Sequence, residues 1–364
     1  MNGWAVPGTR SADPPLDAAV FDRLESLPAA VPPLFGATRS FFTSRPWWEI
    51  VLAHALPPTA LPRLVMIHAG GVPRALFPML LDTADGEHRS LTTPYSCLYE
   101  PLFAPDAAGR VTDRAPVFAA FARSCRGFPV TRLDTLDQAL APEIAAGCRA
   151  AGLAVARFDH FGNWHEDVTG LDWPAYLARR PGATRETIRR RTRRAERLDG
   201  AVFRLFTGPD GLEEGIAAFE TIYARSWKQP EPYPLINPAQ IRAAAGLGVL
   251  RLGVWWIGGT PAAAQFWIVE HGQATVLKLA HDEAFKAHSP GTVVTAWMIR
   301  HMFEHEHIAA LDFGRGDDPY KKDWTSSRRQ RIGLLLINPL RPRGAAALVR
   351  HALGRARARF RPPG

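Results

Sequence analysis

Asp312, Arg315, Asp317, Asp318, Tyr320, Lys321 and Lys322 fall within about a dozen residues of one another. Carboxylates and a phenol can carry protons, and the cations among them can hold an anion. Gly314 and Gly316 lie inside the set and let the backbone turn sharply. The apolar lead-in Ile308–Leu311 predicts a short buried strand, which puts the charges at a strand's carboxyl end, where α/β proteins tend to carry chemistry. The alternative is a solvated loop whose aspartates cap the next helix.

A second candidate precedes it. Ser289-Pro290-Gly291-Thr292 opens an expected helix running to about Glu306. A helix start presents N–H groups without partners and the positive end of the macrodipole, so a pyrophosphate can sit there. Gly291 would let it approach the backbone, Pro290 adds no competing side chain, and Lys286 and Lys278 lie in reach. Lys278 points from a strand interior, which suits binding a substrate anion or pairing with Asp312. His301, His305 and His307 with Glu304 and Glu306 lack the His-Glu-x-x-His order, so no metal is expected.

The elements that must hold these residues are readable. Val249–Ile257, Ala262–Glu270 and Ala274–Ala280 form an antiparallel meander with turns at Gly258-Gly259 and His271-Gly272. His281 ends its third strand. Arg331–Ile337 is one more strand, and Trp324 reads as core. Upstream, Leu16–Leu27 and Trp47–Leu56 read as helices, and Arg63–His68 and Arg74–Leu81 as a hairpin. Ser90–Phe103 is a third strand or a long loop, followed by helix Ala115–Cys125, strand Pro129–Asp134, helix Pro142–Ala151 and strand Ala154–Phe158. Both halves thus run meander, helix, strand, helix, strand, which suggests two copies of one unit. Gly162, Gly170 and Pro174 break the pattern around Asp159–Trp173, so the expected division is 1–165, 166–340 and a basic tail, 341–364. The tail could form an Arg-faced helix, peripheral or on a membrane surface.

The chain has 364 residues, of which 46% are hydrophobic, enough for two folded domains. No apolar run approaches the roughly 20 residues of a membrane span. Met1–Pro15 has neither a basic start nor an apolar core, so no secretory signal is expected. Cys97, Cys125 and Cys148 lie far apart, and a reducing, cytoplasmic setting is expected. Net charge is +9 and permits an anionic partner. The helix Ala183–Leu198 concentrates it in Arg185, Arg189, Arg190, Arg191, Arg193, Arg194 and Arg197, over a thin apolar stripe of Ile188, Ala195 and Leu198. Like charges at this spacing destabilise a helix, so an anionic partner is favoured over a merely solvated face.

Taken together, Lys278-Leu279-Ala280-His281-Asp282, Ser289-Pro290-Gly291-Thr292 and Asp312-Phe313-Gly314-Arg315-Gly316-Asp317-Asp318-Pro319-Tyr320-Lys321 resemble the GNAT-type acyltransferases of the CelD group, also called BioF-like acetyltransferases. The resemblance covers about residues 170–340, and more distantly the Fem peptidyltransferases, which have two GNAT-like halves. It implies an α/β (α+β) fold of two tandem GNAT-like units, each a mixed, mostly antiparallel sheet flanked by helices. It implies acyl transfer, acetyl foremost, from acyl-CoA to an amine of a small molecule or amino sugar, without a metal. The third meander strand would run beside the pantetheine arm, and Ser289, Gly291, Thr292 and Lys286 would hold the pyrophosphate.

Tyr320 is then the expected acid for the departing thiolate, or a packing tyrosine. Asp312 and Asp318 are candidate bases or ammonium anchors, with His281 a rival base. Lys278, Arg315, Asp317 and Lys321 are expected at the substrate, although Asp317 also suits turn capping and Lys321 also suits a phosphate or an aspartate partner. The usual phosphate loop, Gln/Arg-x-x-Gly-x-Gly/Ala, is reduced here to Gly291. Fem-type relatives take their acyl group from aminoacyl-tRNA, and the arginine helix would suit that donor. A non-catalytic module in polysaccharide or envelope assembly is the third reading. The acceptor (amino sugar, amino acid or polyamine) and the oligomeric state stay open.

Overall fold

Alternating and fully apolar runs between tight turns give this chain its strands, and the strands build one sheet. The structure, a computed structural model, describes residues 14–36, 40–105 and 114–359, so the leading stretch read for a signal lies outside it up to position 13. The first series of strands is β1 (Leu16–Phe21), β2 (Ala60–Ala69), β3 (Val72–Asp82), β4 (Glu87–Ser90), β5 (Leu102–Phe103), β6 (Val130–Leu136) and β7 (Ala154–Asp167). The second is β8 (Ala201–Phe206), β9 (Leu250–Ile257), β10 (Thr260–Glu270), β11 (Gln273–His281), β12 (Ala310–Asp312) and β13 (Ser327–Ile337).

In space the order is β1-β2-β3-β4-β6-β13-β7-β12-β11-β10-β9-β8, with β5 beside β3. Read inward from either edge, this order is the same twice. β1, β2, β3, β4 and β6 match β8, β9, β10, β11 and β12, and each half has one parallel pair, β4–β6 and β11–β12. The repeated element order in the sequence is therefore a repeat of structure. The last strand of each series crosses over: β13 lies between β6 and β7, and β7 lies between β13 and β12. The sheet is mixed, mostly antiparallel and flanked by helices, as expected from the sequence.

Burial follows the pleat. In β10 every residue from Ala262 to Ile268 is buried. Ala264, Phe266 and Ile268 pack into the large core shared with the first half, and Ala263 and Trp267 into a second core on the opposite face. That second core holds Val294, Met298, Phe313 and Trp324, so Trp324 is core as expected. The helices Gly182–Glu196 and Pro290–His301 cover this face, and the latter continues as a π turn to Glu306.

Two elements differ from the sequence reading. Leu16–Leu27 is no helix: Leu16–Phe21 pairs edge-on with Ala69–Leu64, and only Leu24–Ser26 makes a 3-10 turn. Strand β7 does not end at Phe158 but runs on to Asp167 along β13. Gly162 is not a breaker there, because the Arg328 guanidinium lies where its Cβ would be. The basic tail is helical over Pro342–Arg359, and positions 360–364 lie outside the described residues.

Candidate active site

Strands β11 and β12 run parallel for three residue pairs, Gln273↔Ala310 to Thr275↔Asp312. Beyond them β11 stays with β10 as far as His281, while the chain after Asp312 turns away. The splay leaves a crevice. Gly314 stands at the fork with φ 61°, and any Cβ there would overlap the Val276 carbonyl oxygen, so only glycine serves both demands.

The bend after β12 is tied down from beneath. Asp312 is buried, and its Oδ1 accepts from Asn163 Nδ2 and from the Gly314 N–H, both at 2.7 Å. Its Oδ2 accepts from Arg329 Nη2 at 2.6 Å. Lys321 is 4% exposed, donates to the carbonyls of Arg315 (2.7 Å) and Gly316 (3.2 Å), and pairs with Asp318 at 3.1 Å. Asp317 faces outward, bound to Arg328 and to the Trp164 indole N–H at 2.6 Å. Asp312, Lys321 and Asp317 therefore shape the bend.

Two cavities occupy the crevice, and Trp227, Leu279 and Tyr320 border both. The first, about 440 Å³, is walled by Thr184, Thr187 and Ile188 of the arginine helix, by His281, by Gly291, Thr292 and Thr295, and by Trp324. A relay fixes the helix start there: Trp267 Nε1 donates to Gln265 Oε1 (2.8 Å), Gln265 Nε2 to Thr295 Oγ1 (2.6 Å), and Thr295 Oγ1 to the Gly291 carbonyl (2.7 Å). Ser289 precedes it in the left-handed region, φ 54°. Thr292 and Val293 both turn their N–H to the Ser289 carbonyl at 3.1 Å, and Pro290 has none. Among the described residues the Gly291 N–H is then the first-turn amide left for a ligand.

Arg191 stands one turn beyond Thr187 and Ile188 on the same helix face, with its Nε buried and unpartnered. Arg189, Arg190, Arg193, Arg194 and Arg197 are exposed and have no carboxylate partner among the described residues. Lys286 is exposed, pairs with Glu283 at 3.3 Å, and lines neither cavity. The His281 ring lies 4.4 Å from the Trp227 ring, with Nδ1 3.5 Å from the Asp282 carbonyl.

The second cavity, about 470 Å³, is polar. Lys228, Lys278, Arg315, Asp318 and Lys321 line it, together with Tyr95 and Cys97 from the first half. Lys278 does not pair with Asp312. Its partner is Glu231, which also accepts from Tyr95 (2.6 Å) and Tyr223 (2.5 Å). Burial alone would raise the Glu231 carboxyl, but hydrogen bonds from Lys278, Tyr223 and Tyr95 outweigh it and hold the group below its ordinary value. Arg315 lies 4.5 Å over Phe161 and donates to the Ser96 carbonyl at 3.3 Å. Burial pushes the Cys97 thiol up to about 11, which leaves it neutral and a poor nucleophile.

Tyr320 sits between the cavities on a single 3-10 turn, Pro319–Asp323. Burial first, and then the Asp318 charge, raise its hydroxyl well above the ordinary phenol value, so it stands protonated at neutral pH.

The structure thus gathers His281, Gly291, Thr292, Tyr320, Asp318, Lys278, Arg315 and Lys321 around one crevice, and leaves Asp312, Asp317, Ser289 and Lys286 off its walls. Glu231, Tyr95, Tyr223, Trp227 and Lys228 escaped the sequence reading. The one local signal was a lone acid in the proline-spaced stretch Gln229–Pro238.

Residues 182–322 match the family model for an acetyltransferase (GNAT) domain. By sequence the second half is similar to an acetyltransferase (GNAT) domain, and by fold the chain holds two such strand series. No curated protein matches the chain by sequence. Among solved structures, FemX is similar at 10% identity and TM-score 0.56, covering 86% of this chain and 96% of its own. A domain provisionally assigned as the C-terminal part of a lysylphosphatidylglycerol synthetase from Agrobacterium fabrum is similar at 12% and 0.54, covering 89% and 95%. A conserved protein of unknown function from Bacteroides thetaiotaomicron is similar at 10% and 0.56, covering 87% and 99%. At such identities the likeness is one of fold.

Proposed function

We propose that this chain is an N-acyltransferase that moves an acyl group, acetyl foremost, from acyl-CoA to an amine, in the manner of the CelD group. One observation carries the reading. The Gly291 end of a helix, the Thr184–Ile188 face of the arginine helix and Tyr320 all border one cavity in the fork of β11 and β12. The Gly291 N–H, the helix dipole and Arg191 are suited to phosphate. The cavity wall from Leu279 to Tyr320 would take the thioester arm, and the polar cavity beyond Tyr320 would take the acceptor. Tyr95 and Cys97 make the first half a wall of that acceptor cavity.

In the reaction the acceptor nitrogen bonds the thioester carbon and the carbon–sulfur bond breaks. The neutral Tyr320 hydroxyl gives its proton to the departing thiolate, and the amine proton passes to Asp318 or His281. Asp312 and Lys321 keep the bend in register. Isothermal titration with acetyl-CoA and CoA tests the donor assignment: binding of both is expected, and no affinity for any acyl-CoA or for CoA would overturn it. The exposed arginines Arg189, Arg190, Arg193, Arg194 and Arg197 favour a second reading, an aminoacyl-tRNA donor. Protein purified at low salt would then carry absorbance at 260 nm that high salt removes. Among the described residues no helix is long and apolar enough to cross a membrane. That is compatible with the cytoplasmic setting proposed here.

A further inference from the structure

The cavity beyond Tyr320 has a lopsided charge. Lys228, Lys278, Arg315 and Lys321 line it against one carboxylate, Asp318. Three of the four cations have partners. Lys278 is neutralised by Glu231 from behind, Lys321 by Asp318 and two carbonyls, and Arg315 donates to the Ser96 carbonyl and lies over Phe161. Among the described residues Lys228 has no carboxylate within ion-pair distance. Its ammonium lies 5.3 Å over the Trp227 ring, at the wall shared by the two cavities. Burial, and then repulsion from Lys278, lower its pKa; Asp318 and Glu231 pull the other way, and Lys321 adds repulsion. An unpaired, partly desolvated ammonium facing a cavity is stabilised by an anion and destabilised by a further cation.

We infer that the acceptor carries its own anionic group, a carboxylate or phosphate near the reacting amine, which pairs with Lys228. A polyamine or a neutral amino sugar leaves that ammonium unpaired. This inference rests on the acyl-transfer reading for the word acceptor, but the preference for an anion is measurable without turnover.

The test is calorimetric titration of the whole protein with matched probes: glycine against glycinamide, and glucosamine 6-phosphate against glucosamine. At least one member that carries the carboxylate or phosphate is expected to bind about tenfold or more tightly than its partner without it, the strength of one charge-assisted hydrogen bond. Lys228→Gln should abolish that difference, Lys228→Arg should largely keep it, and neither should alter CoA binding. Equal affinity within every pair, no binding of any probe, or preference for spermidine would overturn the inference. So would a Lys228→Gln variant that lost CoA instead, since the anion would then belong to the donor. Anion preference with no turnover from any acyl-CoA would sink the acyl-CoA reading and leave this one standing. Turnover of neutral and anionic acceptors alike would do the reverse.

Discussion

The two halves share one strand order and differ at one fork. In the second half β11 and β12 part after Thr275 and Asp312, and the gap stays open as the two cavities. In the first half β4 and β6 part after Arg89 and Arg132, but the chain fills its own gap. The Ser90 hydroxyl accepts from the Asp134 N–H at 2.9 Å, Tyr99 donates its N–H to the Thr135 carbonyl at 3.0 Å, and Ser96 and Tyr99 are buried. A parallel pair that splays is a place for a site, and what closes or opens it is the length and packing of the loop that follows. The first half lends its loop, through Tyr95 and Cys97, to the other half's polar cavity.

The largest effect is expected where the halves interlock. Arg180 and Glu166 are both buried and paired at 2.5 Å, and Glu166 also accepts from the Ser326 N–H beside β13. Arg180→Ala strands a buried carboxylate, so a loss of about 3–5 kcal/mol is expected in urea unfolding. Because β7 and β13 are exchanged, one transition should report both halves. Two separate transitions would break the picture of an interlocked sheet.

Next comes the fork that is open. Tyr320→Phe keeps the ring and removes the proton, so kcat with acetyl-CoA should fall about 10²-fold with CoA affinity unchanged. Tyr99→Phe, in the closed fork, should leave turnover alone. Equal losses from both would mean that the two forks are not functionally distinct.

The closed half should be the acid-sensitive one. His88 is buried, stacked on Phe128 with its Nδ1 2.9 Å from the Thr131 hydroxyl and its Nε2 unpartnered. Burial, helped by Arg63, pushes its pKa down to about 3. The unfolded chain takes up a proton near pH 6.5 and the folded one does not, so stability is whole above that and is lost as pH falls from 6.5 toward 3. A loss of about 2 kcal/mol at pH 5 relative to pH 8 is expected. His88→Gln should flatten that slope; an unchanged slope would move the acid-sensitive group elsewhere.

Smallest for the fold, but most useful for the donor, is Arg189→Ala with Arg193→Ala. Both side chains are exposed, so stability should shift by no more than about 0.5 kcal/mol. If the donor is a tRNA, affinity for RNA should weaken and its salt slope should shrink by about two. If the donor is CoA, held by Gly291 and Arg191, the change should be slight.

Much of the second half was legible from local pattern. β9, β10 and β11 agree with the expected meander within two residues at every boundary, because their apolar runs are closed by glycine turns at Gly258-Gly259 and Gly272. The duplication was legible too, as element order. Misreadings fell where a residue answers a distant partner. Leu16–Phe21 is a strand because β2 offers an edge, and Gly162 continues β7 because Arg328 needs the room. At the site, Lys278 was visible as an odd lysine in a strand, but its partner comes from a proline-spaced loop 47 residues away.

By itself the sequence determined which residues carry charge at the bend and where the helix before it begins, and it suggested that one unit occurs twice, since periodicity, turn residues and spacing are local properties of the chain. Only the tertiary structure decided that the last strands trade places, that the second fork is open and the first shut, and that Glu231 rather than Asp312 neutralises Lys278. Those outcomes depend on which segments meet in space, and ion pairing and crevice shape are set by that meeting.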